Sequence, residues 1–418
     1  MVKKIYDWVN GATLDEHSRR KHKILREYLL QYLLVRCKLP QQAKFRIAIV
    51  DGFAGGGRYK CGAPGSPIIF VEQVQIALDQ INLERAVQNL SPIDVEFLLI
   101  VNDADAKVTE LLRGHLSPVL AAAKENAARL SVETLYFSRP FEDVYPEIKS
   151  TLRQRRFKNV LFNLDQCGHS YVEKATLIDI IQTFQAEIFY TFAIQSLLTF
   201  LNRRNPDAVR AQLGFLGLRS DDLGDLQVPM SNEVWLGAAE RLVFDAFHDC
   251  APYVSPFSIN NPDGWRYWFI HFAKSYRARQ VYNNVLHDNA TLQAHFGRAG
   301  LNMLSYDARH HDGRLYLFDE PARSIAAEQL LTDIPKLVSS QGRTMPIIDF
   351  YESVYKLTPA HASDIHVSLL NNPELKVLTT GGGQRRAANT IKTTDLIQLE
   401  PQKTFFHMPG FGRSEASH

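Results

Sequence analysis

A glycine-rich stretch, residues 46–69 with the sequence RIAIVDGFAGGGRYKCGAPGSPII, constrains the fold of this chain more than any other feature. It opens with the short apolar run Ile47–Val50, which is typical of a buried parallel strand. Asp51 ends the run, and the glycines after it permit the backbone conformations of a tight turn. Ligands of open α/β sheets bind beside the carboxyl ends of the strands. The loop therefore predicts a ligand site at that edge.

The spacing of the glycines indicates which ligand this loop binds. A dinucleotide-binding loop reads G-x-G-x-x-G, whereas residues 51–57 read Asp-Gly-Phe-Ala-Gly-Gly-Gly. No Gly-Lys-Ser or Gly-Lys-Thr follows, which excludes a P-loop. The order resembles the DxFAGxG loop of methyltransferases that use S-adenosylmethionine (SAM), and a glycine-rich turn without a ligand is the alternative. The resemblance implies cofactor contacts at six positions: Asp51, Gly52, Phe53, Ala54, Gly55 and Gly57.

Composition limits the class of protein. With 418 residues, 45% of them hydrophobic and 22% charged, the chain can bury a large core and is expected to form two or more domains. Its net charge of +2 means that any contact with nucleic acid must come from a local basic patch. The 4 cysteines lack zinc-site spacing, and we find neither a signal peptide nor a membrane span. We expect a cytoplasmic protein without a metal site.

Strand-like and helix-like segments alternate five times between residues 46 and 201. This pattern predicts a doubly wound, mostly parallel Rossmann-like α/β sheet, in a domain that spans residues 46–335. Residues 202–258 are polar and rich in loops, and predict a helical insertion beside the site. The strands expected after the first are Val95–Val101, Val132–Phe137, Asn159–Leu164 and Glu187–Phe192. The last two are expected at Trp265–Phe272 and Arg314–Phe318, after turns at residues 261–264 and 310–313.

Two residues that follow predicted strands complete the expected cofactor site. Asp103 follows the second strand, where a Rossmann-like sheet holds ribose hydroxyls with a carboxylate. Capping of the next helix is an alternative role for Asp103. In methyltransferases of this class the turn after the third strand usually binds adenine. Phe141 lies there, and it either flanks the adenine ring or belongs to the core.

The loop after the fourth strand reads Asp165-Gln166-Cys167-Gly168. In amino-methyltransferases this place carries an (Asp/Asn)-Pro-Pro-aromatic loop, whose oxygens orient the lone pair of the target amine toward the methyl group. Asp165 keeps the first member and is the predicted catalytic residue. The prolines and the aromatic residue are missing, so a stacking surface for a flipped base is lost. This departure argues against a DNA base as the methyl acceptor.

Two neighbouring side chains invite further interpretations. The Pro-Cys loop of cytosine-5 methyltransferases is absent, so we expect Cys167 to be a small buried thiol rather than a nucleophile. His169 is a candidate general base, and a loop histidine without a catalytic role is the alternative.

The two ends of the chain predict helical units. Residues 1–45 contain an amphipathic helix at 14–36, whose basic first half either contacts an acidic ligand or, as we expect, forms a solvated face. Residues 340–418 contain two short helices, Pro346–Tyr355 and His361–Leu370, and strands at Leu375–Thr379 and Asp395–Leu399. This order predicts a winged-helix domain that binds nucleic acid or docks a protein. The cations expected to contact phosphates are Lys376, Arg385, Arg386 and Lys392.

These features together resemble a bacterial family, the three-Cys-motif partner proteins (TcmP). The resemblance is carried by the lysine-bearing helix at residues 17–36, the loop DGFAGGGRYKCGAPGSPI at 51–68 and the terminal wing, and it covers most of the chain. It implies a Rossmann-type SAM-dependent methyltransferase that works with a three-cysteine, radical-SAM-like protein. The family has an Asp-Pro-Tyr-Gly loop where this chain has residues 165–168.

Two classes of function follow from the sequence. The first is a SAM-dependent methyltransferase-like protein with an unidentified acceptor, which the glycine loop favours. The second is a non-catalytic module of the same fold that recruits a partner through its wing domain, which the altered loop at residues 165–168 favours. An NAD-dependent oxidoreductase is disfavoured by the glycine spacing.

Overall fold

A mostly parallel sheet with helices on both faces forms the body of the protein. The computed structural model describes residues 6–202, 204–218, 220–227, 231–260, 266–289, 293–296, 301, 315–316 and 318–401. The helices are α1 (Glu16–Arg36), α2 (Ser66–Val87), α3 (Ala106–Asn126), α4 (Phe141–Gln154), α5 (Lys174–Phe184), α6 (Ile194–Phe200), α7 (Pro206–Gln212), α8 (Gly224–Gln227), α9 (Asn232–His248), α10 (Tyr276–Asp288), α11 (Glu320–Ser340), α12 (Ile347–Leu357) and α13 (Ala362–Asn371).

The strands fall into two sheets within the described residues. Those of the large sheet are β1 (Lys44–Asp51), β2 (Asp94–Asn102), β3 (Leu130–Phe137), β4 (Val160–Leu164), β5 (Glu187–Phe192), β6 (Tyr253–Asn260), β7 (Arg266–Ala273), β8 (Gln293–Phe296) and β9 (Leu315–Tyr316). Those of the small sheet are β10 (Thr344–Pro346), β11 (Leu375–Leu378) and β12 (Leu396–Leu399). None of the helices in the described part is both long and apolar enough to cross a membrane.

The large sheet has the strand order β3-β2-β1-β4-β5-β7-β6-β8-β9. Strands β1 to β5 are parallel, and β7 runs antiparallel to both of its neighbours, β5 and β6. The order reverses between β1 and β4, which places the topological switch point of the sheet at the carboxyl ends of these two strands. The predicted doubly wound, mostly parallel sheet is confirmed.

Both faces of the sheet are buried, which explains why the strands read as unbroken apolar runs. Along β1, Ile47 and Ile49 point into a core that includes residues of α1, α2 and α10. Ala48 and Val50 point into a second core with residues of α4 and α5. The alternation follows from the two-residue period of a strand. The core therefore fixes the direction in which β1 delivers its final residue, Asp51.

Two strands of the large sheet were not predicted. β6 overlaps the end of the stretch assigned to a helical insertion, residues 202–258, and it contains Pro256, which interrupts the strand pattern. β8 was also missed. Of the two last strands that were predicted, one is β7, and the described part of the other is β9. The predicted turns at 261–264 and 310–313 lie outside the described residues.

The C-terminal unit, residues 318–401, contains α11, the two predicted short helices and the small antiparallel sheet with the order β10-β12-β11. It packs on the body through α10. The Gln280 side chain donates to the Tyr355 hydroxyl at 2.7 Å, and Asn283 donates to the Thr358 carbonyl at 3.0 Å. All four residues are buried, so the unit shares a continuous core with the large sheet.

Candidate functional site

The carboxyl ends of β1, β2 and β4 bring three predicted site residues to one edge of the sheet. Asp51 is the last residue of β1, Asp103 follows β2, and Asp165 follows β4. The register pairs Asp51 with Val101 of β2 and with Asn163 of β4. Parallel strands end at a common edge, and this is the edge at which open α/β sheets bind ligands.

Asp51 is fully buried and incompletely paired. Its Oδ1 accepts a hydrogen bond from the Asn163 side chain at 3.2 Å, while its Oδ2 has no hydrogen-bond partner among the described residues. Burial raises the pKa of Asp51 to about 7, because interactions with Ser66 and Asn163 only partly offset the loss of solvent. A buried carboxyl oxygen without a partner is costly, and it is a position where a ligand donor fits. Ser66 is the first residue of α2, and Gly65 is its N-cap residue.

The glycine loop after β1 is shaped by packing within the protein. Gly55 and Gly57 have φ angles of 62° and 85°, which other residues rarely adopt. A Cβ built at Gly55 would lie 2.4 Å from the Trp8 ring, and one at Gly57 would lie 2.9 Å from Leu112. At both positions, the space that a side chain would need is therefore filled by the protein itself. The N-terminal segment, through Trp8, covers the loop.

Asp103 joins the second strand to the glycine loop. Its Oδ2 accepts the Gly55 N–H at 3.2 Å, and its Oδ1 accepts the Asp105 N–H at 3.0 Å. Burial raises the pKa of Asp103, which is half-buried. The alternative role as a helix cap is wrong, since Asp105 caps α3 by accepting the Lys107 N–H. Each carboxylate oxygen can accept two hydrogen bonds, so Asp103 keeps acceptor capacity on its open side.

Phe141 belongs to the core. It is the first residue of α4 and is 2% exposed. Its ring packs on Gly52 so closely that a Cβ built at Gly52 would lie 2.7 Å from the nearest ring carbon. Phe53, in the glycine loop, is half-buried and lies 5.9 Å from the Phe141 ring. The contact between Phe141 and adenine stays a prediction, and the core role that was its alternative is observed.

Asp165 forms an ion pair with Lys21 of α1. The Lys21 Nζ lies 2.5 Å from Oδ1 and 2.7 Å from Oδ2 of Asp165. The lysine side chain is 4% exposed and that of the aspartate 25%. Burial opposes ionisation of Asp165, but the lysine overcomes it and holds the pKa of Asp165 below its ordinary value. Asp165 is thus an ionised acceptor with one open side.

The basic half of α1 is not the solvated face that we expected. His17, Lys21 and His22 are buried against the carboxyl edge of the sheet, whereas Arg19 and Lys23 are exposed. The ring of His17 stacks on Tyr267 of β7, with centroids 4.3 Å apart and planes at 9°. The buried residues His17 and Lys21 are four residues apart, and Lys21 comes three or four residues before the next buried apolar residues of α1, so they all lie on the same face of the helix. This spacing was the signal in the sequence that places Lys21 inside.

The N-terminal segment is tied to α1 beside this pair. Asp15 caps α1 by accepting the Ser18 N–H, and it also accepts the Tyr6 hydroxyl at 2.5 Å. Burial and the neighbouring Asp15 raise the pKa of Tyr6. Burial lowers the pKa of His22 to about 4, so that ring is neutral at physiological pH.

The loop that begins with Asp165 is fixed by Gln166, which is 2% exposed. Its side chain donates to the Tyr190 hydroxyl at 2.6 Å and accepts the Tyr171 N–H at 2.9 Å. Gln166 is thus a structural anchor, which the comparison with a proline-containing loop did not suggest. Cys167 is exposed, so the expected buried thiol is wrong. The ring of His169 lies against aromatic side chains, and its role as a general base stays a prediction.

Two of the four predicted phosphate-binding cations of the wing have carboxylate partners. Arg385 makes two hydrogen bonds to Asp395, at 2.8 and 3.0 Å, and Lys376 lies 2.5 Å from Glu400. Arg386 and Lys392 are exposed. The intramolecular pairs weaken the electrostatic case for nucleic acid.

A cavity of about 340 Å³ lies at the opposite edge of the sheet, where β4 and β5 begin. Arg36, Lys158, Glu187 and Lys274 line it. Because it is far along the strands from Asp51 and Asp165, it is separate from the candidate site.

Comparisons with known proteins add no relative. No protein-family model matches the chain, and no curated protein matches it. The resemblance to the three-Cys-motif partner family therefore stays a prediction.

Proposed function

We propose that this protein is a SAM-dependent methyltransferase-like protein that holds SAM at the carboxyl edge of its large sheet. The observation that carries the proposal is the hydrogen bond from Gly55 to Asp103, which docks the acid after β2 on the loop after β1. A carboxylate beside a glycine loop at a switch point is the arrangement with which Rossmann-like sheets hold a nucleoside.

The residues present fit SAM at two places. Asp103 has acceptor capacity left for the two ribose hydroxyls. The unpaired Oδ2 of Asp51 fits an N–H donor, such as the amino group of the cofactor. SAM supplies a methyl group that its sulfonium activates for transfer. The loop proposed to contact the cofactor is formed by Gly52, Phe53, Ala54, Gly55 and Gly57. Phe141 supports this loop by packing against Gly52.

The order of the strands supports SAM over a dinucleotide. A dinucleotide-binding sheet has the order 3-2-1-4-5-6. In this protein β7 lies between β5 and β6 and runs in the opposite direction. This departure disfavours a dinucleotide, and the support that it gives to SAM is that of fold analogy.

Asp165 is proposed to orient the acceptor. Because Lys21 keeps it ionised, Asp165 accepts a hydrogen bond from the acceptor and does not take up its proton. Lys21 fixes the carboxylate from the buried side, and the exposed quarter of the Asp165 side chain faces outward. Asp165 is in this account an orienting group rather than a general base.

A non-catalytic module is the second candidate, and the same ion pair favours it. Both oxygens of Asp165 already hold an amine of the protein itself, which is the kind of group an amino-methyltransferase would place there. In this candidate, residues 318–401 act as a winged helix, in agreement with their order of helix, strand, two helices and two strands. That unit would recruit a three-Cys-motif protein or, through Arg386 and Lys392, nucleic acid.

Transfer of radiolabelled methyl from SAM distinguishes the two candidates. The assay uses nucleic-acid and protein fractions of cell extract, with and without a three-Cys-motif protein. We expect the wild type to label one fraction, and Asp165→Asn to label it about a hundredfold less, which is the effect of removing one preorganised polar group. Asp7→Asn, at an exposed aspartate, is the control.

The outcomes of this assay are distinct. A wild type that binds SAM but labels no fraction contradicts the enzyme and supports the module. Equal labelling by the wild type and Asp165→Asn keeps methyl transfer as the function and removes Asp165 from it.

A further inference from the structure

Tyr171 presents an aromatic surface in the loop that begins with Asp165. The residue is 43% exposed, although large aromatic residues are usually mostly buried. It lies in the same loop as Asp165, six positions further along the chain. The loop therefore carries a hydrogen-bond acceptor at its start and a partly exposed aromatic residue at its end.

Gly168 is the residue that allows the ring to lie there. A Cβ built at Gly168 would come within 3.0 Å of Cε2 of Tyr171, which is tighter than ordinary contact. The sequence placed a glycine where related loops have an aromatic residue, and this suggested that a stacking surface was lost. In the fold, the Tyr171 ring lies over that glycine, so an aromatic surface is present at the loop.

The loop holds the backbone of Tyr171 in place. Gln166 links the Tyr171 N–H to the Tyr190 hydroxyl, and the Gly168 carbonyl accepts the Ala193 N–H at 3.1 Å. Phe53 of the glycine loop lies 6.4 Å from the Tyr171 ring, with the planes at 45°. The aromatic surface thus extends from the acceptor loop to the proposed cofactor loop. A backbone that is already held in place lowers the entropy lost when a ligand stacks on the Tyr171 ring.

We propose that Tyr171 is the stacking platform for the methyl acceptor, and that the acceptor is a planar heteroaromatic ring with an exocyclic amino group, as in a nucleobase. The inference rests on the proposed function only in calling this ring the acceptor. Stacking on Tyr171 holds the plane of the ring, while its N–H donates to the open side of Asp165.

The charge of the site favours this neutral donor over an alkyl ammonium group. Asp165 and Lys21 together carry no net charge, because the lysine lies on both carboxylate oxygens. A second cation would have to compete with Lys21, whereas a neutral amino group of a ring needs only one free lone pair of the carboxylate.

The test measures nucleoside binding to the full-length protein saturated with S-adenosylhomocysteine, which keeps adenosine out of the cofactor site. Cytidine and adenosine are compared with uridine and inosine, which lack the exocyclic amino group, by ligand-observed NMR. We expect at least one amino nucleoside to bind more tightly than its oxo counterpart. A short single strand that contains the same base distinguishes a free nucleoside from a base within a nucleic acid.

Variants assign the binding to Tyr171. Tyr171→Ala should weaken binding of the preferred nucleoside about tenfold or more, since each stacked base contributes about that much or more. Tyr171→Phe, which keeps the ring, should bind within about twofold of the wild type. Leu83→Ala, at an exposed residue of α2, is the control. Asp165→Asn should remove the preference for the amino nucleoside.

Two results overturn the platform. One is that no nucleoside binds to the saturated wild type, and the other is that Tyr171→Ala binds as the wild type does. Titration of S-adenosylhomocysteine into the same samples is read separately. Failure of the cofactor to bind contradicts the proposed function, whereas normal cofactor binding with no effect at Tyr171 contradicts the platform alone.

Discussion

The two halves of the candidate site are built in different ways. The cofactor half is local: Asp51, the glycine loop and Asp103 come from one strand, its loop and the next strand. The acceptor half depends on a contact between Lys21 and Asp165, which are 144 positions apart. The first half could be predicted from a motif. The second could not, because no short pattern records which helix face meets which loop.

The halves also differ in how their charges are satisfied. In the cofactor half, the Asp51 carboxyl is buried with one oxygen unpaired and a pKa raised to about 7. In the acceptor half, burial is outweighed by Lys21 and the pKa of Asp165 is lowered. The unpaired oxygen of Asp51 can accept a hydrogen bond from a ligand, whereas the Asp165 carboxylate already has Lys21 as its partner. We infer that the cofactor half gains a partner on binding, whereas the acceptor half is preorganised.

The largest expected effect is in the cofactor half, at Gly55. Gly55→Val requires a branched residue at a φ of 62° and drives its side chain into the Trp8 ring. Strain of about 1 to 3 kcal/mol from the backbone and about the same from overpacking should distort the loop. We expect SAM binding to be lost while circular dichroism shows a folded protein.

Gly62→Val is the matched control for this variant. Gly62 has a φ of 81°, yet a Cβ there would meet nothing within 4 Å. It should therefore show the backbone strain alone and still bind SAM. If Gly55→Val bound SAM as well as Gly62→Val does, the loop would be a structural turn and the cofactor half would lose its basis.

The next effect is in the acceptor half. Lys21→Met leaves the Asp165 carboxylate without its partner, and removal of one member of a buried pair costs about 3 to 5 kcal/mol. Since the carboxylate is partly exposed, we expect the lower end of that range in the free energy of unfolding by urea. Lys23→Met is the control, because that side chain is 63% exposed.

Combination of Lys21→Met with Asp165→Asn should recover part of the lost free energy of unfolding, because the double variant has no unpaired carboxylate at this position. SAM affinity should stay close to that of the wild type in all of these proteins. A strong loss of SAM binding in Lys21→Met would show that the two halves are not independent, and would contradict the comparison.

The smallest effect concerns the titration of Asp51. Its pKa is about 7 in the folded protein, whereas the ordinary pKa of an aspartate is 3.8, so the folded state binds the proton more tightly. The stability that this proton contributes is lost as pH rises from 3.8 to about 7. Above pH 7 the ionised carboxylate destabilises the fold. Asp51→Asn removes the titration.

Between pH 5.5 and pH 8, the wild type should lose roughly 2 kcal/mol relative to Asp51→Asn, at about 1.4 kcal/mol per pKa unit. Thermal unfolding at several pH values measures this difference, with Asp7→Asn as the control. Parallel pH curves for the wild type and Asp51→Asn would contradict the assignment of a raised pKa.

How far the sequence predicted the fold depends on the range of each interaction. The five alternations from β1 to α6 were correct, because buried strands and amphipathic helices leave local patterns. β6 was missed since Pro256 interrupts its pattern. Arg385 was read as a free cation of the wing, but its partner Asp395 comes from the strand end ten residues on.

The same limit applies to the candidate site. Asp51 and Asp103 were placed at the right edge, because each follows a recognisable strand. Trp8 was not foreseen as a cover for the glycine loop, since its segment has no periodic pattern. Tyr171 was missed because it reaches Gly168 through the fold of the loop and not through its place in a motif. The contacts of Trp8 and Tyr171 depend on tertiary packing, which the spacing of residues along the chain does not show.

The central claim, that the carboxyl edge of the large sheet holds SAM through Asp103, is tested most directly by isothermal titration calorimetry. We predict that the wild type binds SAM and not NAD. Asp103→Ala should bind SAM at least about tenfold more weakly, since each charge-assisted hydrogen bond contributes about 1.5 to 3 kcal/mol. Asp79→Ala, at an exposed aspartate of α2, should match the wild type. Binding of NAD in place of SAM, or an unchanged SAM affinity in Asp103→Ala, would contradict the account.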